Sequence, residues 1–335
     1  MRNFEYARPE TEAEAVELLG EHDGNTAVLA GGTDLLNLMK AELVAPQRVV
    51  DIKHVDSLHS VTADDDGVQI GSLVTLDEMQ SEPLLAGYQS LQDVIRGVRS
   101  IQIRQMGTIG GDLCHMPNCW YFRNGNGLLG LEDGKSVVAG GDNRYHAILG
   151  NRGPAKFVSA SRFAPAMMAW GAKVRVIGPK PHHEQWIDLD SFYRTPKTDR
   201  QGVTLLKPGQ LLTHIRLPSA SRLLSASYEV LELEGLDWPL AAASAMLNVV
   251  DGVVRNARVV MGHVAPTPWE SREAAAAIIG RPVTEATAES AGEAAIAAAT
   301  PLSENRYKVR VARTAVKRAI LAAAESARPE NRREV

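Results

Sequence analysis

The sequence predicts an α+β fold in two units, and three patterns support that prediction. Residues 1–55 alternate short apolar segments with helical segments, which is the order of a βαβ lobe. From Ser60 onward the chain changes to short apolar runs separated by turns, which indicates antiparallel strands. Two long apolar runs, Ala241–Val250 and Val253–Met261, then meet at an Asp-Gly turn, and three alanine-rich helical segments follow them.

Composition excludes several classes of function. The chain has 335 residues and a formal net charge of −4, with no run of Lys or Arg before its C-terminus that would suggest nucleic-acid binding. No stretch of 18 apolar residues occurs, so no membrane span is expected. The first ten residues lack the apolar segment of a secretory signal, and two cysteines cannot form a disulfide framework. We therefore expect a cytoplasmic protein.

The elements can be assigned in order along the chain. Phe4–Tyr6 is a short strand, and Thr11–Glu14 is a capping box that starts a helix reaching about His22. Asn25–Leu36 is a strand, a glycine turn and the start of a helix, and Arg48–Ile52 is the next strand. The later segments are predicted as a hairpin (61–63 with 68–71), helices at 75–79, 91–98 and 161–170, strands at 173–177 and 205–218, a linker at 219–225, and helices at about 268–279, 285–299 and 305–324.

The glycine turn near residue 30 is the first candidate binding element. It comprises Leu29, Ala30, Gly31, Gly32, Thr33, Asp34 and Leu35. Gly31 and Gly32 have no Cβ, so the backbone can adopt positive φ and a ligand can come close. We expect Asp34 to be the N-cap of a helix over Leu35–Leu43. The N–H groups of Gly31, Gly32 and Thr33 would then face open space beside a helix N-terminus, which suits a phosphate, although the same pattern also occurs in ordinary connections.

A second glycine turn strengthens this interpretation. The segment Arg104–Asp112 offers the hydroxyl of Thr108 and the N–H groups of Ile109, Gly110 and Gly111. Two such turns can hold a diphosphate from both sides.

The two turns and three further motifs resemble the FAD-binding medium subunit of the molybdenum hydroxylases, the group of xanthine dehydrogenase, carbon monoxide dehydrogenase and aldehyde oxidoreductase. The matching motifs are Ala30–Asp34, Thr108–Gly111, Pro208–Pro218, Met261–Pro268 and Arg306–Ala312. The resemblance spans nearly the whole chain. It implies a two-lobed FAD-binding domain of the PCMH type over residues 1–221, with lobes at about 1–55 and 56–221. An α+β C-terminal domain with a sheet packed on helices would occupy 222–330.

The resemblance also implies cofactors and partners. FAD would bind in this chain, with its pyrophosphate between the two glycine turns. The implied flavin-binding residues are Leu29, Ala30, Gly31, Gly32, Thr33, Asp34, Leu35, Thr108, Ile109, Gly110, Gly111, Asp112 and Leu212. A large molybdopterin-binding subunit would hydroxylate the substrate, and a small subunit with 2Fe–2S clusters would pass electrons to this FAD and on to an external acceptor. A dimer of such heterotrimers is expected, and this chain should contain no catalytic residue and no metal ligand.

Three residues depart from the family's pattern. Asp112 stands where the family usually has Asn, and a carboxylate beside a pyrophosphate would cost at least ~1 kcal/mol. We expect Asp112 to point away, to accept a ribityl hydroxyl or to cap the next segment. Arg162 replaces an Asp that contacts the flavin's polyol, and it could pair with Asp112 or a phosphate. Glu229 replaces a Lys that reaches the isoalloxazine, which suggests a lower flavin potential or a rearranged loop.

An insertion at about 113–157 resembles that of the branch which carries a 4Fe–4S cluster. Cys119 matches the first cluster ligand, but the positions near Leu128, Gly134 and Ala155 have no cysteine. A Cys₄ cluster needs four thiolates, so we expect no 4Fe–4S cluster here. The alternative is a Cys₂His₂ metal site, which the sequence spacing disfavours. Its candidate ligands are Cys114, His115, Cys119 and His146.

Two other functions stay open. Asp51 lies 20 positions after Gly31, where a Rossmann-type NAD dehydrogenase has its ribose-binding acid, but the turn is not G-x-G-x-x-G and no second half follows. Alternatively, the departures at Arg162 and Glu229 suggest a scaffold subunit with weakened or lost flavin. Flavin absorbance of the purified protein would discriminate between these possibilities.

Overall fold

The computed structural model describes residues 1–22, 25–233 and 237–326 and shows a mixed α+β fold, as predicted. The strands, numbered in chain order, are β1 (Glu5–Ala7), β2 (Thr26–Leu29), β3 (Arg48–Asp51), β4 (Val61–Asp64), β5 (Gly67–Gly71), β6 (Leu131–Glu132), β7 (Lys135–Ser136), β8 (Lys173–Ile177), β9 (Glu184–Asp188), β10 (Leu211–Pro218), β11 (Leu224–Val230), β12 (Ala241–Val250), β13 (Val253–Gly262) and β14 (Trp269–Glu270). The tail at 328–335, which the sequence suggests is frayed, lies outside the described residues.

The helices follow the same numbering. They are α1 (Glu12–Gly20), α2 (Leu35–Lys40), α3 (Leu76–Ser81), α4 (Gln89–Gly97), α5 (Ile101–Met106), α6 (Ile109–Leu113), α7 (Trp120–Arg123), α8 (Val137–Gly140), α9 (Ala164–Ala169), α10 (Leu189–Phe192), α11 (Arg272–Ile278), α12 (Glu285–Ala295) and α13 (Tyr307–Glu325). None of the helices in the described ranges is both long enough and apolar enough to cross a membrane.

The N-terminal lobe is a three-stranded parallel sheet in the order β1-β3-β2, with α1 in the connection between β1 and β2. The side chain of Thr11 accepts a hydrogen bond from the N–H of Glu14 at 3.2 Å, which confirms the predicted helix start. The carboxylate of Glu14 accepts from the N–H of Glu10 instead of closing the box on Thr11. Apolar residues of α1, such as Val16, pack on the sheet through Val50.

The second lobe is a five-stranded antiparallel sheet in the order β4-β5-β10-β8-β9. The β4–β5 hairpin and the helix that starts after Thr75 are both confirmed, and Thr75 forms a capping box on α3. Helices α4 and α9 cover this sheet and bury apolar side chains such as Leu91, Ile95 and Met167.

The C-terminal domain is a four-stranded antiparallel sheet, β11-β12-β13-β14, on which α13 packs. Small buried alanines on the sheet and on the helix, such as Ala243 and Ala319, allow α13 to lie close to the sheet. Two predictions are wrong here. Strand β11 begins at Leu224, inside the predicted linker, because this segment pairs with β12 and buries the consecutive residues Ser225 and Ala226. Trp269–Glu270 forms strand β14, because Ser271 caps α11 only from the next residue onward.

The insertion has a hydrophobic core of its own. Phe122, Leu128, Ala155 and Phe157 are buried together against Leu38 of α2. Two of the three positions where the cluster-bearing branch would supply cysteines are thus filled by packed apolar side chains. This segment lies beside the first glycine turn and contributes to the walls of the site.

Candidate functional site

A cavity of about 640 Å³ opens between the first glycine turn, the segment from Val98 to Asp112, the insertion and the C-terminal domain. The predicted residues that line it are Ala30, Gly31, Gly32, Thr33, Asp34, Leu35, Thr108, Gly111 and Asp112. Trp238 forms part of the wall from the C-terminal domain, and its ring meets the ring of His115 edge-on at 5.1 Å. The volume lies within the range of cofactor sites in proteins.

The first glycine turn presents backbone donors to this cavity. Within the described ranges, the N–H groups of Gly31, Gly32, Thr33 and Asp34 make no hydrogen bond. Gly32 adopts a φ of +74°, which L side chains rarely adopt. A run of backbone N–H groups without acceptors at the wall of a cavity is an arrangement that binds anions.

Gly31 is required for a different reason from the one the sequence suggested. A Cβ placed on Gly31 would lie 1.6 Å from the carbonyl oxygen of Met106. The missing side chain therefore allows the backbone of the second glycine segment to approach the first. Close contact of the two turns, and not ligand approach alone, explains the glycine at this position.

The prediction that the side chain of Asp34 caps α2 is wrong. Asp34 has helical φ and ψ of −107° and −53°, and its carboxylate makes no cap hydrogen bond. An N-cap side chain needs an extended backbone to reach the first N–H groups of the helix. The carboxylate instead accepts from Arg123 Nη1 at 2.7 Å and from the N–H of Met116 at 3.3 Å, which ties the insertion to the first turn. Helix α2 also ends at Lys40, before the predicted Leu43.

The second glycine turn forms part of the cavity wall, but its N–H groups are already hydrogen-bonded within the protein. Thr108 caps the short helix α6, and its Oγ accepts from the N–H of Gly111 at 3.1 Å. The N–H groups of Ile109 and Gly110 donate to the carbonyls of Val74 and Ser72. The prediction that these N–H groups are available to a ligand is therefore wrong, because they pair with the segment after β5.

Asp112 lines the cavity, and its carboxylate caps the segment before α9. Its carboxylate accepts from the hydroxyl of Ser161 and from the N–H groups of Arg162 and Phe163, the last at 3.1 Å. Burial raises the pKa of Asp112, and the hydrogen bonds from Ser161 and the two N–H groups oppose that rise. The carboxylate of Asp112 is therefore a cap, but for residues 161–163 and not for the segment that directly follows it, as had been expected.

Arg162 and Glu229 form a buried ion pair across the two domains. Arg162 Nε donates to Glu229 Oε1 at 3.0 Å, and Nη2 donates to Oε2. Their side chains are only 10% and 9% exposed. Glu229 lies in β11 opposite Ala242 in regular register. Burial raises the pKa of Glu229, and the guanidinium of Arg162 opposes the rise.

Four predicted residues lie outside the cavity lining. Leu212 is 4% exposed and belongs to the core between the second-lobe sheet and its helices. Ile109 and Gly110 pack inward against the segment after β5, and Leu29 is the last residue of β2. The lining residues that sequence reasoning missed include Val98, Ser100, Asn118, Arg123 and Trp238. No local signal marks Arg123, since its partner Asp34 lies 89 residues earlier.

The cysteines do not assemble a metal centre. In the part of the chain that the structure describes, no group of three or more His, Cys, Asp or Glu side chains is placed to hold a metal ion. Cys119 Sγ lies 3.1 Å from His146 Nε2, and burial raises the pKa of Cys119 and lowers that of His146 to about 4. A protonated thiol beside a neutral imidazole is a hydrogen-bonded pair and not a ligand set.

The ribose-binding role considered for Asp51 has no support. Asp51 is buried, and its carboxylate accepts from the hydroxyl of Tyr6 at 2.7 Å and pairs with Lys53 Nζ at 2.7 Å. It does not line the cavity. The sheet that carries it has three strands and not the extended order of a Rossmann fold.

Comparison with known proteins identifies the family. A family model described as the FAD binding domain in molybdopterin dehydrogenase matches residues 2–220, and the CO dehydrogenase flavoprotein C-terminal domain matches residues 226–323. The carbon monoxide dehydrogenase medium chain of Hydrogenophaga pseudoflava is 26% identical over 325 residues, which cover 96% of each chain. The aldehyde oxidoreductase FAD-binding subunit of Escherichia coli is 28% identical over 316 residues, which cover 93% of this chain and 96% of that subunit.

Comparison with solved structures supports the same family. Carbon monoxide dehydrogenase from Hydrogenophaga pseudoflava, in a form which lacks the Mo-pyranopterin moiety of the molybdenum cofactor, matches with a TM-score of 0.76 at 25% identity, covering 97% of this chain and 98% of that chain. The first family model alone spans well over half of the sequence. The chain therefore belongs to the FAD-binding medium subunits of the molybdenum hydroxylase family.

Proposed function

We propose that this chain is the electron-transfer subunit of a molybdenum hydroxylase complex and that it holds FAD in the 640 Å³ cavity. The observation that carries the proposal is the row of backbone N–H groups at Gly31–Asp34, which line the cavity and have no acceptor among the described residues. A diphosphate would satisfy these donors. The fit of the residues to FAD therefore rests on their chemistry and on the size of the cavity.

The residues take distinct roles in this proposal. The N–H groups of Gly31–Asp34 bind the diphosphate. Thr108 retains its own hydroxyl proton as a donor, because its oxygen only accepts from Gly111. Trp238 and the insertion line the cavity and would contact the cofactor from the C-terminal domain and from the insertion. When bound, the flavin supplies the exchange between one-electron and two-electron transfer, and the protein supplies binding and electrostatics.

The partners belong to the same proposal. A molybdopterin subunit and a 2Fe–2S subunit would deliver electrons to the flavin, in a dimer of heterotrimers. Helix α5 supports a contact near the cavity, because none of its residues is buried and three large apolar side chains are exposed on it. These side chains are Ile101, Ile103 and Met106. Ile103 also lines the cavity, so a partner seated on α5 would lie next to the cofactor.

We also propose the domain limits 1–221 and 222–330, with lobes at about 1–55 and 56–221 and an insertion at about 113–157, and a cytoplasmic location. The separate sheets of the two lobes and of the C-terminal domain support the limits. Both cysteines are free thiols, which suits a reducing compartment. No observation favours the NAD-dependent alternative, and flavin content tests the scaffold alternative.

A glycine substitution tests the cavity as the flavin site. Gly31→Ala places a methyl group against the Met106 carbonyl, so the two turns must separate and the purified protein should lose most of its flavin. Gly20→Ala is the matched control, because a Cβ there meets nothing within 4 Å. Absorbance of the purified variants measures flavin per chain. Full flavin occupancy in a folded Gly31→Ala protein would contradict the proposed site.

A further inference from the structure

The Arg162–Glu229 pair leaves one nitrogen of the guanidinium, Nη1, without a hydrogen bond to the described residues. Nε and Nη2 of Arg162 both donate to the carboxylate of Glu229. For Nη1, no acceptor is present among the described residues, and this nitrogen is not among the polar atoms sealed from solvent. Arg162 lines the 640 Å³ cavity, so the two N–H groups of Nη1 are available to a molecule bound there.

The surroundings fix the guanidinium in place. Glu229 holds two of its nitrogens, and the backbone N–H of Arg162 donates to Asp112 at 3.2 Å. Gly97 leaves room for the pair, because a Cβ there would lie 2.4 Å from Glu229 Oε2 and 2.8 Å from Arg162 Nη2. Glu229 on strand β11 thus holds the guanidinium, Asp112 on α6 holds the backbone of Arg162, and Gly97 at the end of α4 leaves room for the pair.

We propose that Arg162 is a further flavin-contacting residue, which presents Nη1 to the isoalloxazine, and that Glu229 positions it and partly neutralises its charge. The inference rests on the proposed function. The diphosphate donors lie on the first glycine turn, whereas Arg162 lies at the boundary with the C-terminal domain, where it pairs with Glu229, so the two sets serve different parts of the cofactor. Reduction adds negative charge to the isoalloxazine alone, and a nearby buried cation stabilises that form.

The positive charge near the flavin thus comes from Arg162 and not from position 229, where the resemblance implies a Lys. The resemblance led us to expect that Glu229 opposes the reduced flavin. Its ion pair with Arg162 instead places the carboxylate behind a guanidinium that faces the cavity. The net effect on the flavin is that of a partly screened cation, and each charge can be changed separately.

The experiment measures the midpoint potential of the flavin by spectroelectrochemical titration of the flavin-loaded, full-length protein. Arg162→Gln should lower the potential, because it removes the cation. Glu229→Gln should raise it, because the neutral amide still accepts from Arg162 but no longer screens the charge. Arg162→Lys should stay closer to the parent than Arg162→Gln. The affinity for FAD should fall about tenfold or more in Arg162→Gln, as expected for a lost charge-assisted hydrogen bond.

The matched control is Arg258, which pairs with Asp190 across the same domain boundary at 2.8 Å but does not line the cavity. Arg258→Gln should leave the flavin potential unchanged. Equal potentials in the parent, Arg162→Gln and Glu229→Gln would overturn the inference, and so would a loss of affinity without any shift in potential. If Arg162→Gln no longer retains flavin, the flavin potentials of Glu229→Gln and Arg162→Lys test the inference, because both variants keep a cation at position 162. A parent protein without FAD would instead refute the proposed function.

Discussion

At the scale of single residues, the two glycine turns owe their glycines to different constraints. Gly32 needs positive φ, whereas Gly31 and Gly110 are required by neighbouring atoms, the Met106 carbonyl and the Ser72 side chain. The turns therefore differ in what they offer a ligand. The first has N–H groups without acceptors among the described residues, and the second pairs its N–H groups with Val74 and Ser72.

Cys119 allows a direct test of the absent cluster. It contacts His146, but Leu128 and Ala155 fill the insertion with apolar packing. Cys119→Ser should therefore leave flavin content and activity nearly unchanged, and the isolated subunit should contain no iron. Iron and sulfide analysis, with electron paramagnetic resonance after reduction, provides the measurement. A 4Fe–4S signal from this chain would refute the prediction.

At the scale of elements, sequence periodicity predicted the parts that pack regularly. The β4–β5 hairpin, the long β12–β13 hairpin and strand β8 lie where alternation and turn residues indicated. The wrong predictions concern residues whose hydrogen-bond partners lie far away in the sequence. Asp34 has the residue type and the sequence position of an N-cap, yet its carboxylate pairs with Arg123 from the insertion. Ile109 and Gly110 looked free because their acceptors, Val74 and Ser72, lie more than thirty residues earlier.

Helix α5 is the element that we expect to contact a partner. Ile101 is 56% exposed and Met106 is 49% exposed. Placing Lys at both positions should abolish copurification with the 2Fe–2S subunit, because buried charges at an interface core are costly. Flavin content should be unchanged. Affinity purification of coexpressed subunits measures the effect.

The control for this experiment is Ile279→Lys, at an exposed apolar residue after α11 in the C-terminal domain. It should leave the complex intact. Retention of the small subunit by the double variant would show that α5 is not the contact. Interfaces of permanent complexes typically bury more than ~2,000 Å².

At the scale of the whole molecule, the cavity is a product of both domains and the insertion. Its walls come from the first lobe, the second lobe and the C-terminal domain. The Arg162–Glu229 and Arg258–Asp190 ion pairs join the second lobe to the C-terminal domain. Buried side chains of β12 and β13, such as Met246 and Val260, belong to the same core as α9. Cofactor binding and domain packing should therefore depend on each other.

The central claim is that this cavity binds FAD without a covalent bond. The most direct measurement is the mass and absorbance of the cofactor released when the full-length protein, purified with its partners, is denatured. We predict one intact FAD for each copy of this chain, recovered in solution after the protein is removed. Recovery of NAD, the absence of flavin, or flavin that stays attached to the denatured chain would contradict the claim.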